Sequence, residues 1–502
     1  MWKIINSLLH KKHTKTTSPN IFYDGNDIIH DSQEVAERFN NYFINIGPKL
    51  ASQIPQTGVN PLNYVNKEVL GSLFFKPITS NELLQCINNL PNKKSSGYDE
   101  LNAPIIKKIA PFIVQPLLKI FNLSLSTGIV PNELKIAKVI PIFKTGNLQS
   151  FGNYRPISLL PCFSKVLERL VANRLNKFID KHKILDTSQY GFRANYSTQM
   201  ALIDLVDKIT ASLDKTNHTY GIFLDLSKAF DTTDHDILLN KMSKYGIRGT
   251  VFDWFKNYLF DRKQFVVWQN SFSSLKPVSC GVPQGSILGP ILFLLYINDL
   301  PNSTNLLKFI LFADDTNLFY SSKDQKEATS VINRELRSVS EWMNCNKLSV
   351  NLKKTCYMIF SNKDVVSSNI VFNNALINQV TKTTFLGVII DNKLSWRHHC
   401  QKIHMSISRT LGILRRVRNM LPREALFSIY NALILPQLQY GILAWGNSSQ
   451  LNLNKLLVVQ KKSLRVINRS DYRAHALPLF VKYNTLPLHD LYQYELGVLR
   501  IT

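Results

Sequence analysis

The stretch Leu306–Ser322, LLKFILFADDTNLFYSS, sets two adjacent aspartates, Asp314 and Asp315, between two runs of large apolar residues. Leu306–Phe312 reads as a buried strand, and Leu318–Tyr320 as the start of a second. Carboxylates are seldom buried unless they are paired or bind a metal. Neighbouring side chains in one straight strand point to opposite faces. A tight hairpin at Ala313–Thr316 removes that restriction by placing both acids at its tip. The stretch therefore has two readings, an ordinary turn in which Asp is common and a cation site.

A cation site needs a further carboxylate, and Gly221–Asp231, GIFLDLSKAFD, supplies one. Asp225 follows Ile222, Phe223 and Leu224, which belong in a core strand, so an acid there is costly unless compensated. With this strand beside the 310–319 hairpin, Asp225 faces Asp314 and Asp315. Three carboxylates at one point repel one another, and two divalent cations relieve that. Two metals about 3.5–4 Å apart are the usual device for in-line displacement at phosphorus. Mg²⁺ fits, because it takes a few carboxylates and completes its shell with substrate phosphates.

The bulk composition agrees with a polyanionic partner. The 502 residues carry 60 Lys+Arg against 35 Asp+Glu, a formal net charge of +25, with 45% hydrophobic content. Length alone suggests about three domains. So basic a balance points to nucleic acid or an anionic membrane surface. The longest apolar run, Ile287–Ile297, is broken by Gly289 and Pro290 and is too short to cross a bilayer, so no membrane partner is expected. Residues 1–15, MWKIINSLLHKKHTK, are basic and faintly amphipathic, a pattern shared with transit peptides. Cys86, Cys162, Cys280, Cys345, Cys356 and Cys400 form no CxxC pair, which fits a reducing compartment. His398, His399, Cys400 and His404 resemble half a zinc site, without an evident second pair.

Along the chain, residues 1–75 are polar and Asn-rich with a helix-like patch at Val35–Phe43, and read as an extension or linker. Helical patterns follow at Glu82–Leu90, at Ile105–Leu125 with Pro111 and Pro116 breaking it, and at Lys165–Ile179. Strands are expected at AKVIPIFK, GIFLDL, Phe265–Trp268 and YMIF. Helices are expected at Ser286–Leu295, near Asn333–Cys345, and at ILLNKMSKYG, closed by Gly246. Arg397–Arg423 holds seven Lys+Arg and no acid, with Ile403, Ile407, Leu411 and Leu414 at helical spacing. It reads as one amphipathic helix with a basic face. Residues 460–465 form a second basic segment.

Taken in order, FLDLSKAFD, CGVPQGSILGPILFLLYIND and FADD resemble the palm motifs of reverse transcriptases. Flanking matches are SSGYDELNAPIIK, AKVIPIFKTG, NYRPISLL, QYGFRANYSTQMAL, LSVNLKKTCYMIF and FLGVIID. Together they resemble the enzymes of non-LTR (LINE-type, jockey-like) retrotransposons, well over residues 76–400 and more loosely to the end. The resemblance implies an α+β right-hand polymerase fold with an N-terminal extension and a helical, basic C-terminal region. The divisions expected are an extension at 1–75, fingers at 76–200, a palm at 201–394, a thumb at 395–450 and a basic C-terminal segment at 451–502.

The resemblance also implies roles. Asp225 and Asp314 would bind two Mg²⁺, for which Mn²⁺ would substitute, with Asp315 in support. Lys354 matches a lysine that would protonate pyrophosphate, although Lys353 beside it is equally basic. The backbone of Leu226, Ser227, Lys228 and Ala229 would lie near the triphosphate of a dNTP. Phe230 matches a steric gate against a ribose 2′-OH, and Arg155 a phosphate-gripping arginine whose planar fork suits that task. Lys144 is a second candidate for it. Gln284 and Gly285 match the loop beside the nascent base pair. Phe385, Leu386 and Gly387 match a hairpin on the primer strand, and the basic helix, with Arg415, Arg416 and Arg418, would track the backbone of an RNA template and DNA primer. Asp231 and His235 are typical of the family and have no derived role.

The implied function is RNA-directed DNA synthesis by an intracellular protein of the cytoplasm or nucleus, of open oligomeric state. No endonuclease, RNase H or zinc-knuckle motif is evident, so the chain is expected to be the polymerase segment of a longer element protein. Three rivals stay open: an inactive or co-opted RNA-binding relative, an intron-maturase-like protein, and a membrane-surface protein that rests on charge alone.

Overall fold

The computed structural model describes residues 19, 21–25, 27–215 and 217–501. The basic segment at 1–15 lies outside them. Helices and two five-stranded sheets build an α+β architecture.

The central sheet runs in the order Asn378–Gln379, Cys356–Phe360, His218–Asp225, Asp315–Ser322, Lys308–Phe312. His218–Asp225 is its middle strand, antiparallel to both neighbours. Only Asp225 in this strand is not fully buried. That follows from covering both faces. Tyr220, Ile222 and Leu224 enter one core, with Leu292, Leu318 and Tyr357. Phe223 enters another, with Phe319, Met358 and Phe360. The period-two alternation of a strand thus feeds two separate cores.

A second sheet pairs Tyr154–Leu159 with Ile136–Phe143 and, in parallel, Ile136–Phe143 with Lys263–Trp268. The helix Ser32–Ser52 packs on it. Phe22, Phe39, Phe151, Tyr154 and Trp268 form an aromatic cluster there, with Phe39 and Phe151 rings 4.7 Å apart. Part of what composition suggests is linker is therefore packed structure. The polar sequence hid it because only Val35, Ala36, Phe39 and Phe43 carry the apolar stripe.

Two expectations of helix geometry need correction. Ala103–Thr127 is one continuous helix through Pro111 and Pro116. Both prolines are exposed, so the carbonyls they deprive of partners reach water. Burial of Ile106, Ala110, Val114, Leu117 and Phe121 on the other face sustains the helix. Asn102 caps its start and Gly128, at φ 74°, its end. The basic stretch 397–423 is not one helix. Arg397–Val417 ends there and Arg423–Leu433 begins a new helix after Pro422. The second basic segment, 460–465, is helical. It lies within Gln450–Asn468, where buried Gln460 donates to the Tyr430 hydroxyl at 3.0 Å and Arg465 donates to the Ala474 carbonyl at 2.7 Å.

Helices Arg397–Val417 and Gln450–Asn468 share the second core. His399 and Cys400 face into it, while His398 is exposed. Among the described residues no group of three His, Cys, Asp or Glu side chains is arranged to hold a metal ion, so these four do not form half a zinc site. His399 instead lies 5.6 Å from the Trp445 ring and its Nδ1 accepts from the Ile389 amide at 3.3 Å. Burial, with Lys402 nearby, pushes its pKa down to about 4. An unfolded histidine takes a proton near pH 6.5, whereas this one stays neutral until about pH 4. Stability is therefore complete above pH 6.5 and falls as the pH drops toward 4. Urea unfolding is expected to show about 1–2 kcal/mol less stability at pH 5 than at pH 7 from this residue, and His399→Gln should flatten that difference. An unchanged pH difference in the variant would refute it.

Candidate active site

The site forms where the two sheets approach. Asp225 ends the central strand, and its backbone is fixed from the side. The Asn351 amide donates to the Asp225 carbonyl at 2.8 Å, and the Asp225 amide donates to Thr355 Oγ1 at 3.3 Å. The hairpin Lys308–Phe312/Asp315–Ser322 turns through Ala313 and Asp314, and its register places Asp315 directly across from Asp225. Ala313 sits at φ 56°, an uncommon conformation for a residue with a Cβ. Buried Gln189 holds this turn: its Oε1 accepts from the Ala313 amide at 3.0 Å and from Gly191 at 2.7 Å. The chain beside it pairs with the hairpin, Tyr190 amide to Leu311 carbonyl and Leu311 amide to Ser188 carbonyl, both 2.8 Å.

Burial first, and then repulsion between the acids, raises their pKa values. Burial, then Asp314 and Asp225, push Asp315 up to about 6. Asp314 is also raised, by burial first and by Asp225 in part. Lys354 Nζ lies 3.4 Å from an Asp225 carboxylate oxygen and partly offsets the charge. The second sheet brings further cations. Arg155 stands on the strand Tyr154–Leu159, opposite Ile142, and Lys144 directly follows the paired strand Ile136–Phe143; both are exposed. Burial and then Arg155 lower the pKa of Lys144.

Between carboxylates and cations lies a cleft of about 730 Å³. Its lining contains Asp225, Asp314, Lys354, Lys144, Arg155, Leu226, Ser227, Lys228, Ala229, Phe230, Gln284 and Gly285, all singled out from sequence. Asp315 is not in the lining. Phe385, Leu386 and Gly387 are also elsewhere: Lys382–Phe385 and Val388–Asp391 form a hairpin whose turn residues Leu386 and Gly387 have φ of 45° and 83°. Phe385 is buried in the second core, and the Leu386 carbonyl accepts from the Tyr440 hydroxyl at 2.7 Å. Arg415, Arg416 and Arg418 are exposed and away from the cleft.

Phe230 forms part of the wall, stacked on Phe293 with ring centroids 4.6 Å apart. Lys228 is tied down, donating to the Tyr154 carbonyl at 3.3 Å. Gly285, at φ 129°, passes so close to the second sheet that a Cβ would sit 2.4 Å from the Ser158 carbonyl oxygen. The Ser158 amide in turn donates to the Gln284 carbonyl at 2.8 Å. The helix that follows, Leu288–Ile297, is anchored by Glu168, which is fully buried. Its carboxylate accepts from the Ile287 amide at 2.6 Å, the Leu288 amide at 3.4 Å and the Tyr258 hydroxyl at 3.0 Å. Gln189 and Glu168 escaped the sequence reading. Each is a polar residue among apolar ones, and only the contact partner, over a hundred residues away, gives it meaning.

The site is an acidic strand-and-hairpin floor facing a basic wall across one cleft. Residues 142–390 match the family described as "Reverse transcriptase (RNA-dependent DNA polymerase)". The chain is 30% identical to the "Probable RNA-directed DNA polymerase from transposon BS" of Drosophila melanogaster, over 98% of this chain and 55% of that protein. It is 30% identical to the "RNA-directed DNA polymerase from mobile element jockey" of the same species, over 82% and 46%. The "Probable RNA-directed DNA polymerase from transposon X-element" shares 28%, over 90% and 49%. The chain belongs to the reverse transcriptases of non-LTR, LINE-type retrotransposons. It spans about half the length of the curated relatives it matches.

Proposed function

We propose that this chain synthesises DNA on an RNA template, adding dNTPs to a primer 3′-OH. The observation that carries the reading is the Asp225–Asp315 register, with Asp314 at the turn, opposite Lys144 and Arg155 across one cleft. In our division, residues 76–200 are fingers, 201–394 palm, 395–450 thumb and 451–502 a basic C-terminal segment, with 1–75 as the extension.

Asp225, Asp314 and Asp315 have the oxygen-donor chemistry a divalent ion takes, although as they stand the three are not gathered into a coordinating group. Burial and neighbouring acids hold two carboxyls above their ordinary range, so a cation there relieves a real cost. Reverse transcriptases generally use divalent metal ions, and we propose Mg²⁺, with Mn²⁺ able to replace it, held by Asp225 and Asp314 with Asp315 in support. When bound, the two ions lower the pKa of the attacking hydroxyl and neutralise the triphosphate. Arg155 and Lys144 grip phosphate oxygens from the opposite wall, Arg155 by its planar fork. Lys354, whose Nζ lies 3.4 Å from an Asp225 carboxylate oxygen, gives a proton to the leaving pyrophosphate in this reading. Leu226–Ala229 supply backbone near the triphosphate, and Gln284 and Gly285 line the base-pair side. Phe385–Gly387 contact the primer strand, and Arg415, Arg416 and Arg418 the nucleic-acid backbone.

The Phe293 stack fixes the Phe230 ring, so it acts as a rigid stop against a 2′-OH. Phe230→Val is expected to raise ribonucleotide incorporation relative to dNTPs by about 10²-fold, worth roughly 3 kcal/mol of discrimination. Competitive single-nucleotide incorporation checks this, and an unchanged ratio would remove the gate. The test of the function itself is primer extension on a defined RNA template with dNTPs and Mg²⁺. Templated extension supports the reading. RNA binding without extension under any divalent ion would instead mark a binding-only relative.

A further inference from the structure

Asp231 has no part in the chemistry described above, yet it sits against the cleft wall. Its Oδ1 accepts a 2.8 Å hydrogen bond from Gln284 Nε2, and its Oδ2 is shielded from solvent without a hydrogen-bond partner among the described residues. Burial pushes the carboxyl up to about 6, opposed by Lys228 and by the Gln284 bond. The chain around it is clamped to the 280–285 loop. The Val282 amide donates to the Phe230 carbonyl and the Gly281 amide to the Thr233 carbonyl, both at 2.8 Å. His235, whose pKa burial lowers, lies with Nε2 2.8 Å from the Gly281 carbonyl, which can only accept, so Nε2 carries the proton. The helix Ser32–Ser52 closes the back. A Cβ on Gly47 would lie 2.4 Å from the Asp231 carbonyl oxygen and 2.5 Å from Cys280 Sγ, so no larger residue fits. These contacts give both family-typical residues, Asp231 and His235, a place: they fasten the strand that carries Asp225 to the loop that carries Gln284.

Gln284 is the member of this clamp that lines the cleft. A free glutamine amide presents either its oxygen or its –NH₂ group, which have nearly the same shape. A carboxylate partner admits only one choice, because it accepts and cannot donate. We propose that Asp231 is a positioning residue of the nucleotide site, holding Gln284 with its –NH₂ turned into the wall and its Oε1 left as an acceptor for a hydroxyl or amine of the incoming nucleotide. The inference rests on reading the cleft as a nucleotide site, and it makes Gln284 a fixed-polarity contact.

The experiment compares wild type with Asp231→Leu, Asp231→Asn, Gln284→Ala and the Asp231→Leu/Gln284→Ala pair. Affinity for a Mg²⁺–dNTP is read by calorimetry, and KM, kcat and primer–template affinity by extension and binding assays. Losing one oriented hydrogen bond predicts that Asp231→Leu weakens dNTP affinity and raises KM by about 5–10-fold, with kcat and primer–template affinity within about twofold. Asp231→Asn offers both an acceptor and a donor, no longer enforces one orientation of the amide, and should fall between wild type and Asp231→Leu. The pair should be no worse than Gln284→Ala alone, because both changes remove one contact. Full additivity in the pair, or wild-type affinity in Asp231→Leu, would overturn the proposal. If Asp231→Leu does not fold, Gln284→Glu carries the test. It replaces the donor facing Asp231 with a carboxylate, and the same rise in KM is expected. Unchanged affinity in that variant would overturn the proposal too. Wild type that binds dNTP but extends no primer would count against the polymerase reading, while calorimetry still tests Asp231. Wild type that binds no dNTP would defeat both.

Discussion

Asp314→Ala should abolish primer extension, lowering its rate by about a thousandfold or more, while RNA affinity and the urea midpoint stay near wild type. A divalent ion contributes several kcal/mol of charge stabilisation in such a transfer, and each 1.36 kcal/mol is a factor of ten. Losing its principal ligand forfeits most of that. Stability should not fall, because burial and Asp225 raise its pKa more than a backbone hydrogen bond, Lys144 and Arg155 lower it, so on balance the native state pays to keep it charged. Asp225→Asn should lose extension to a similar degree, with one difference. Lys354 would then lose the partner now 3.4 Å away. Asp315→Asn should be milder, since Asp315 stands in the paired strand and outside the cleft lining. Extension kinetics across a Mg²⁺ series decide the matter. An Asp314→Ala protein that extends primers within about tenfold of wild type would exclude these acids as the metal site.

Glu168→Ala is the substitution expected to damage the fold most, by about 3–5 kcal/mol. The buried carboxylate serves four donors at once: the Ile287 and Leu288 amides, the Tyr258 hydroxyl and, at 3.5 Å, the Ser164 hydroxyl. Arg262, 3% exposed, lies close enough to stabilise its charge. Removing it strands two helix-start amides and a guanidinium in a dry interior. The consequence reaches the site, because Ile287 and Leu288 directly follow the loop of Gln284 and Gly285. Glu168→Gln keeps the size and one acceptor oxygen but turns a donor on a donor, and should cost about 1–3 kcal/mol. Urea unfolding at constant m-value measures both. A loss below about 1 kcal/mol in Glu168→Ala would show that water replaces the carboxylate and that the anchor is dispensable.

The floor of the site was legible because its signals are local. Long apolar runs ending in acids can be satisfied by few arrangements, and Ile222–Asp225 pairs with Asp315–Leu318, which pairs in turn with Phe309–Phe312. The motif order then carried the family, and most of the residues it singled out meet in one cleft. The hairpin 385–388 and the arginines 415–418 do not join them there. Helix limits were less legible. Pro111 and Pro116 break helices when their carbonyls are buried, and whether a face is buried is not written in its own segment.

By itself, then, the sequence determined the central strands, the position of the acids and the family to which the chain belongs, because each follows from neighbours in the chain or from motif order. Only the tertiary structure decided what holds those acids and loops in place. Gln189 pins the turn at Ala313 and Asp314, Glu168 the helix after Gly285, Asp231 the amide of Gln284, and Gly47 admits the N-terminal helix behind them. Each of these residues acts on a partner distant in the chain. A buried polar group is informative only once its partner is known, because the same side chain is a cost alone and a constraint when paired.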